Sequence, residues 1–167
     1  MNEAEIFEEP QGGIYLTPDG YQALQQELEH LTMTKRPEIA DRIRESQQHG
    51  EFSEDNNELD EVKFEQAMVE NRIAELKTIF GNAHVLEPHQ IPTDHVGIGS
   101  LVTVKDLEYD DTFDVRVVVS IEADPAKDLI SNESPMGTAL YGHSVGGNVE
   151  FEAPEGKKRY KILGITK

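Results

Sequence analysis

The feature that most constrains this chain is an apolar heptad pattern in residues 59–80. Positions at alternating spacings of three and four form one stripe, with a single polar member: Leu59, Val62, Gln66, Val69, Ile73, Leu76 and Phe80. The remaining faces are charged, which is typical of a coiled-coil seam. Gly81 and Asn82 follow and indicate the end of a helix. The pattern therefore predicts one long helix that buries its seam against another helix.

A second apolar stripe lies earlier in the chain and can supply that other helix. Thr17 and Pro18 are a candidate N-cap and first helical residue. The stripe that follows has helical spacing, with a slip in phase before its last two members: Tyr21, Leu24, Leu28, Leu31, Ile39 and Ile43. Pro37 would ordinarily end or kink a helix, so the residues alone allow one kinked helix or two helices.

The two stripes are joined by a short turn, and together they predict an antiparallel helical hairpin. Its longer arm would reach roughly 45 Å at about 1.5 Å of rise per residue. The turn itself, HGEFSEDNNELDE at 49–61, holds six carboxylates and no Lys or Arg. These carboxylates repel one another, so the segment is either solvated or binds a cation. We place this acidic tip at residues 50–58.

The composition of the sequence changes after Gly81, and a β-rich domain is predicted over residues 82–167. Four segments have the composition of strands: Leu101–Val104, Val115–Ile121, Val149–Phe151 and Tyr160–Ile165. Asp110-Asp111 and Pro154-Glu155-Gly156 are predicted turns. Residues 135–140 are predicted as a short helix or a loop. The fold class predicted for the whole chain is α+β.

Composition excludes several classes of protein. The chain of 167 residues has a net charge of −18, which disfavours binding to nucleic acid through its phosphates. It contains no cysteine, so disulfides and thiolate metal sites are excluded. The acidic N-terminus has no apolar region typical of a signal peptide, and no apolar stretch is long enough to span a membrane. We expect a cytoplasmic protein, with residues 1–13 as a disordered tail.

With these elements in place, the chain resembles the GreA/GreB family of bacterial transcript cleavage factors. Matching motifs occur in the family's order along nearly the whole chain: YLTPDGYQALQQELEHL at 15–31, RPEIADRI at 36–43, HGEFSE at 49–54, AELKTIFGNAHVL at 74–86, VGIGSLVTV at 96–104 and ISNESPMGTALYGHSVGG at 130–147. The resemblance implies an antiparallel coiled coil at residues 14–81, joined to a C-terminal domain like that of FK506-binding proteins. It also implies that Pro37 is accommodated within the first arm.

The resemblance implies a function that the chain performs on another enzyme. In the family, the globular domain docks on RNA polymerase, and the coiled coil reaches through the secondary channel to the active site and the RNA 3′ end. Two acids at the tip help to hold a catalytic Mg²⁺ or Mn²⁺, and the polymerase then cleaves backtracked RNA. By resemblance, Glu51 and Glu54 take the two acidic positions and Ser53 the serine between them. The chain is expected to have no catalytic activity of its own.

Other residues receive roles from the same resemblance. Asp55 and Glu58 are added as candidate metal ligands, although capping of the second helix also explains them. Three basic residues near the tip are expected to face RNA, with ion pairing along the coil as the alternative: Arg42, Arg44 and Lys63. A stretch in the second half matches the polymerase-binding stretch of the family, with a structural loop as the alternative: Glu133, Ser134 and Pro135.

Two departures from the family pattern leave the outcome of binding open. Glu51 stands where the family usually has Asp, and Asp55 is an insertion before the second helix. Catalytic placement is sensitive to about 1 Å. An over-acidic tip could therefore make the chain an inhibitor that occupies the channel, as in some paralogues of the family. A coiled-coil adaptor without metal chemistry is the third hypothesis.

Two further classes of site are disfavoured by composition. The six histidines show no i, i+4 pair, which disfavours a transition-metal site. A prolyl isomerase on a domain of this kind would usually have a Trp at the floor of its pocket, and the chain contains no Trp. The acidic tip therefore remains the strongest candidate for function.

Overall fold

The computed structural model describes residues 7–50 and 57–167, apart from the side chains of residues 49 and 50. The chain divides into two compact units. The helical unit spans residues 21–83, and the globular unit combines residues up to Gly20 with residues 84–167. The predicted α+β class is confirmed, with helices in one unit and a β-sheet in the other.

Helices form almost all of the helical unit. The first arm consists of α1, Pro18–His30, a π-helical segment, Leu31–Lys35, and α2, Arg36–Gly50. The second arm is α3, Asn57–Phe80, whose 24 residues span about 36 Å at about 1.5 Å each. α2 packs along α3, and ion pairs join the two arms, as expected for the predicted hairpin.

Pro37 lies within the first arm, one residue after the π-helical segment. In a regular helix, the ring of a proline clashes with the carbonyl four residues earlier. The wider π turn ends with the Arg36 N–H donating to the Leu31 carbonyl, five residues back. Thr32 also donates from Oγ1 to the Leu28 carbonyl at 2.8 Å, a contact that bends helices. The first arm is thus helical throughout, as the resemblance implied, because the π turn relieves the geometry that proline disfavours.

The predicted seam of α3 faces the first arm, with one shift at its end. Val62, Ile73 and Leu76 are buried, and Gln66 is exposed. Ile79 is also buried, although it lies outside the predicted stripe. An α-helix has 3.6 residues per turn, so a strict 3.5-residue seam drifts, and neighbouring positions share the interface after several turns. The half-buried positions of the seam are Leu59, Val69 and Phe80.

The globular unit contains a five-stranded sheet in the order β5-β4-β3-β7-β6. Its strands are β3, Leu101–Asp106; β4, Thr112–Val118; β5, Leu129–Ser131; β6, Asn148–Ala153; and β7, Gly156–Thr166. All neighbours are antiparallel except β4 and β5, which are parallel. A separate two-stranded sheet pairs β1, Ile14–Leu16, with β2, Ala83–Val85. The short helix α4, Pro135–Leu140, contacts β6 and β5.

The four predicted strands are confirmed, and three short ones were missed. Val115–Ile121 was predicted as one strand, but β4 ends at Val118 and residues 120–122 form a 3-10 turn. The missed strands β1, β2 and β5 have three residues each, too few to show an alternating pattern. The core of the unit lies between the sheet and α4: Val96, Val102, Val104, Val115, Val117, Leu140, Val149, Tyr160, Ile162 and Ile165.

The domain limits differ from the predicted ones at the N-terminus. Residues 14–20 were assigned to the coiled coil, but they belong to the globular unit, because β1 pairs with β2 there. Residues 7–13 were assigned to a disordered tail, yet they lie against the globular unit. The Glu8 N–H donates to the His89 carbonyl at 3.0 Å, and the Phe7 ring packs edge-on to His95 at 5.4 Å. Residues 1–6 lie outside the described part of the chain.

Within the globular unit, a buried carboxylate binds the residues at the start of α1. Thr17 caps the helix as predicted, since the Gly20 N–H donates to its Oγ1 at 3.1 Å. Glu122, only 8% exposed, accepts hydrogen bonds from both the Thr17 N–H and the Thr17 hydroxyl at 2.7 Å. The 3-10 turn that ends β4 early is what carries Glu122 to this position. A Cβ on Gly20 would lie 2.2 Å from Glu122 Oε1, so a larger residue here would displace the Glu122 side chain from its hydrogen bonds to Thr17.

Replacing Gly20 by Ala tests this arrangement. Helix propensity alone favours Ala by about 1 kcal/mol. The clash with Glu122 destabilises the folded protein and outweighs this gain. We expect Gly20→Ala to lower the free energy of unfolding by about 1–3 kcal/mol, as overpacking usually does. Urea denaturation followed by circular dichroism measures the change.

Gly164→Ala is the matched control, because a Cβ there would make only ordinary contacts at 3.9 Å. In the background of Glu122→Ala, the Gly20→Ala change should lose most of its cost, since the clashing atoms are gone. A Gly20→Ala protein as stable as the wild type would contradict this account of Glu122.

Candidate functional site

The acidic tip predicted from sequence lies mostly outside the described residues. Glu51, Ser53, Glu54 and Asp55 fall in the gap between residues 50 and 57. What the structure describes is the pair of arms that flank them, since α2 ends at Gly50 and α3 begins at Asn57. The metal-ligand roles of Glu51, Glu54 and Asp55, and the assisting role of Ser53, therefore stay predictions. In the sequence these four residues stand between two helices that pack along each other.

Glu58 is the one predicted metal ligand that the structure describes. It lies in the first turn of α3 together with Asp60, and its side chain is exposed. An acid in the first turn interacts favourably with the helix dipole, whereas the capping interpretation stays a prediction, because Asp55 lies outside the described residues. Its carboxylate is also the type of donor that Mg²⁺ and Mn²⁺ accept. No group of three potential metal ligands occurs among residues 7–50 and 57–167.

The three basic residues near the tip differ in how they are engaged. Arg42 pairs across the arms with Glu65 at 2.7 Å, and this contact raises the pKa of Arg42. Arg44 pairs with Asp41 on its own helix. Lys63 is exposed and forms no ion pair within the described ranges. Ion pairing along the coil thus accounts for Arg42, whereas Lys63 keeps its charge available.

Ion pairs between the arms follow the antiparallel direction of the hairpin. Arg36 makes a bidentate contact with Glu70, with both distances 2.8 Å. Arg72 makes a bidentate contact with Glu27 at 2.6 and 2.9 Å, and its Nη1 lies 3.1 Å from Glu75. Bidentate geometry adds direction as well as charge, so these pairs favour one alignment of the arms over others. The sequence does not reveal them, because charged residues are frequent on every outer face.

The Arg72–Glu27 pair is the most sheltered of these contacts. Its side chains are 35% and 37% exposed. The hydrogen bond from Arg72 holds the pKa of Glu27 below its ordinary value of 4.5, against a smaller opposing effect of burial. The pKa of Arg72 is raised in turn, chiefly by the hydrogen bond to Glu27. The pair therefore stabilises the helical unit at any pH at which Glu27 is ionised.

This coupling predicts a pH-dependent effect of Arg72→Met. At pH 7 we expect the variant to lose about 0.5–1 kcal/mol of unfolding free energy, the range for a partly exposed pair. A lowered folded-state pKa means that the stabilisation is present above pH 4.5 and is lost as the pH falls through the lower pKa of Glu27. Thermal unfolding of the two proteins from pH 7 downward measures the difference.

Arg44→Met serves as the control, since the ion pair that Arg44 makes among the described residues lies within its own helix and both partners are exposed. It should change stability by less than about 0.5 kcal/mol at every pH. A deficit in Arg72→Met that persists unchanged at the lowest pH would show that Glu27 is not the partner responsible.

The predicted polymerase-binding stretch forms a well-defined loop before α4. Ser134 caps that helix, because its Oγ accepts from the Gly137 N–H at 3.0 Å, and Pro135 is the first helical residue. Glu133 and Pro135 are exposed. The structural role that we kept as an alternative therefore explains Ser134, while Glu133 and Pro135 remain available to a partner.

Two serines that the sequence did not single out contact Glu133. The Ser120 hydroxyl lies 2.8 Å from Glu133 Oε2 and 2.6 Å from Ser131 Oγ. The Glu133 N–H donates to Ser131 Oγ at 3.0 Å. Ser120 is 13 residues away in sequence and follows a different strand, so no local pattern could have linked it to Glu133.

Comparison with known proteins identifies the family. The model of the N-terminal domain of transcription elongation factors matches residues 14–85, and that of the GreA/GreB C-terminal domain matches residues 91–167. The transcription elongation factor GreA of Acetivibrio thermocellus is 47% identical over 154 residues, which cover 92% of this chain and 96% of the relative.

The chain belongs to the GreA/GreB family of transcription elongation factors. GreA of Clostridium acetobutylicum is 44% identical over 90% of this chain and 94% of its own length. The two family models together span both structural units. The resemblance inferred from the motifs is thus confirmed.

Solved structures of the family also match the GreA/GreB-family chain. The crystal structure of GreA factor homolog 1 from Thermus thermophilus is 31% identical, covering 93% of this chain and 99% of its own, with a TM-score of 0.43. GreA/GreB from Nitrosomonas europaea is 22% identical over 92% of this chain and 99% of its own, with a TM-score of 0.41. Separately, none of the helices that the structure describes is long and apolar enough to cross a membrane.

Proposed function

We propose that this elongation factor binds RNA polymerase, inserts its helical hairpin through the secondary channel and stimulates cleavage of backtracked RNA at the polymerase active site. The observation that carries the proposal is the position of the acidic segment. In the chain it follows α2, which ends at Gly50, and precedes α3, which begins at Asn57, and these two helices pack along each other. Two packed helices are thin enough to enter a channel that excludes a globular domain.

The residues of the tip have the donor chemistry that the reaction needs. Cleavage of a phosphodiester benefits from a divalent cation, which binds oxygen ligands and activates a water. Glu51 and Glu54 would supply carboxylates to a Mg²⁺ or Mn²⁺ shared with the polymerase, while Ser53 would orient a water. Asp55 and Glu58 add charge nearby. Mg²⁺ usually takes only one or two carboxylates, so two donors from this chain suffice.

In this proposal the chain is an accessory to an enzyme and has no catalysis of its own. Its carboxylates act only when the polymerase supplies the RNA and the other ligands. The chain would work in the bacterial cytoplasm, where its proposed partner is found. Glu133 and Pro135 are the proposed contacts to the rim of the channel, because both are exposed beside the capped start of α4.

Changes at the tip test the proposal in a backtracked elongation complex. Glu51→Ala and Glu54→Ala should each slow RNA cleavage by at least about tenfold, since a lost ligand disturbs the placement of metal and water. Glu51→Gln and Glu54→Gln remove the charge with little change in size and should give similar losses. Product lengths on sequencing gels, with Mg²⁺ or Mn²⁺, measure the rate.

Glu152→Ala is the control, because Glu152 is an exposed acid on β6 of the globular unit. Deletion of Asp55 tests whether the inserted acid limits cleavage. If the wild type slows elongation without any cleavage, the factor is an inhibitor. If the tip variants and the wild type behave alike while polymerase binding is intact, the metal-dependent proposal is wrong.

Lys63 is the proposed contact to the RNA. It lies six residues into α3, roughly 9 Å along the helix, and its charge is not engaged in a described ion pair. We expect Lys63→Ala to reduce cleavage at subsaturating factor, while Lys63→Arg keeps most of it. Lys127→Ala, an exposed lysine of the globular unit, should behave as the wild type. Equal cleavage by Lys63→Ala and Lys127→Ala would remove Lys63 from the RNA-binding surface.

A further inference from the structure

The side chain of Glu133 is connected to its own backbone through two hydroxyl groups. The Glu133 N–H donates to Ser131 Oγ, which lies 2.6 Å from Ser120 Oγ, and Ser120 Oγ donates to Glu133 Oε2. These three contacts close a ring, which we call the serine ring. It is defined by Ser120, Ser131 and Glu133.

The direction of each hydrogen bond in the serine ring follows from the chemistry of its groups. An ionised carboxylate can only accept, so Ser120 uses its single hydrogen on Glu133. Ser131 must then donate to Ser120, and it accepts from the Glu133 N–H. Each hydroxyl therefore donates once and accepts once around the ring. Hydrogen bonds arranged in one direction polarise and strengthen one another.

The backbone beneath the serine ring is held by further contacts. The Ser131 carbonyl accepts from the Ser134 N–H at 3.1 Å and from the Ser134 hydroxyl at 2.6 Å. Gly137 packs so closely that a Cβ there would lie 1.9 Å from the Ser131 oxygen. Ser131 itself ends β5, and its neighbour Asn132 donates to the Val118 carbonyl on β4. The backbone that carries the ring is thus hydrogen-bonded on both sides of Ser131 and closely packed against Gly137.

One carboxylate oxygen of Glu133 takes no part in the serine ring. Oε2 accepts from Ser120, while Oε1 has no hydrogen-bond partner in the part of the chain that the structure describes. An exposed Glu normally loses rotamer freedom when it binds a partner, and this loss weakens binding. A side chain held in place before binding avoids part of that loss.

We infer that Ser120 and Ser131 are positioning residues for docking on the polymerase. The serine ring holds Glu133 so that Oε1 points to solvent and can accept from a cationic side chain of the partner. The inference deepens the docking contact named above and rests on the proposed function. It adds Ser120, which belongs to no binding motif of the sequence, to the residues that determine affinity.

Affinity measurements with RNA polymerase test the inference. Removing one hydrogen bond of this kind should weaken binding of Ser120→Ala about two- to tenfold. Ser120→Thr keeps a hydroxyl and should bind nearly as the wild type. In the background of Glu133→Ala, the Ser120→Ala change should have no further effect, because Ser120 acts through Glu133. Ser144→Ala, an exposed serine elsewhere in the unit, is the control.

Amide hydrogen exchange in the free protein tests the ring without the polymerase. Ser120→Ala should speed exchange of the Glu133 amide several-fold, because Ser131 then loses the acceptor that fixes its hydroxyl. The Ser134 amide donates to a backbone carbonyl and should be unchanged, which makes it an internal control. Unchanged exchange at Glu133 would overturn the ring, whatever the polymerase data show.

The remaining outcomes separate this inference from the proposed function. Tight binding by Ser120→Ala alongside weak binding by Glu133→Ala would overturn the positioning role, as would losses that add in the double variant. If the wild type neither binds polymerase nor stimulates cleavage, the proposed function fails and the docking role fails with it. In that case the amide exchange result still decides whether the ring exists.

Discussion

The structure depends first on the burial of two apolar helix faces against each other. Ile39 on the first arm and Val62, Ile73 and Leu76 on the second are almost fully buried, in a unit that has few other apolar residues inside. Neither helix could shield its stripe alone in water. The two arms therefore depend on each other, and α2 packs along α3 over the described residues. In the sequence, the acidic segment stands between these two helices.

The two arms must also keep one alignment along each other, and ion pairs between them favour it. Arg36, Arg42 and Arg72 each bind a carboxylate on the opposite arm. Such partly exposed pairs add little stability each, but a shifted alignment would separate all of them. The π turn before Pro37 has a related consequence. It lets one continuous arm contain a residue that would otherwise break it, so no loop interrupts the packed face.

Many elements of the fold were predictable from the sequence, namely those marked by a local, repeated pattern of residues. The stripe of α3, the cap at Thr17 and the strands β3, β6 and β7 follow from periodicity and turn residues. Ile79 was missed because the helical phase drifts, and β5 because three residues carry no period. The roles of Glu122 and Ser120 were missed for another reason. Each partner lies on a distant segment, and sequence spacing contains no information about that proximity.

The sequence alone determined the fold class, the hairpin, the family and the position of the acidic segment between the arms. Hydrophobic periodicity and the order of the motifs predict these features, because both patterns lie within contiguous stretches of sequence. Only the tertiary structure decided that Glu122 holds the start of α1, that Arg42 is paired while Lys63 has no ion pair with a described residue, and that two serines contact Glu133. These are contacts between segments far apart in the chain, and they exist only after the backbone has brought the segments together.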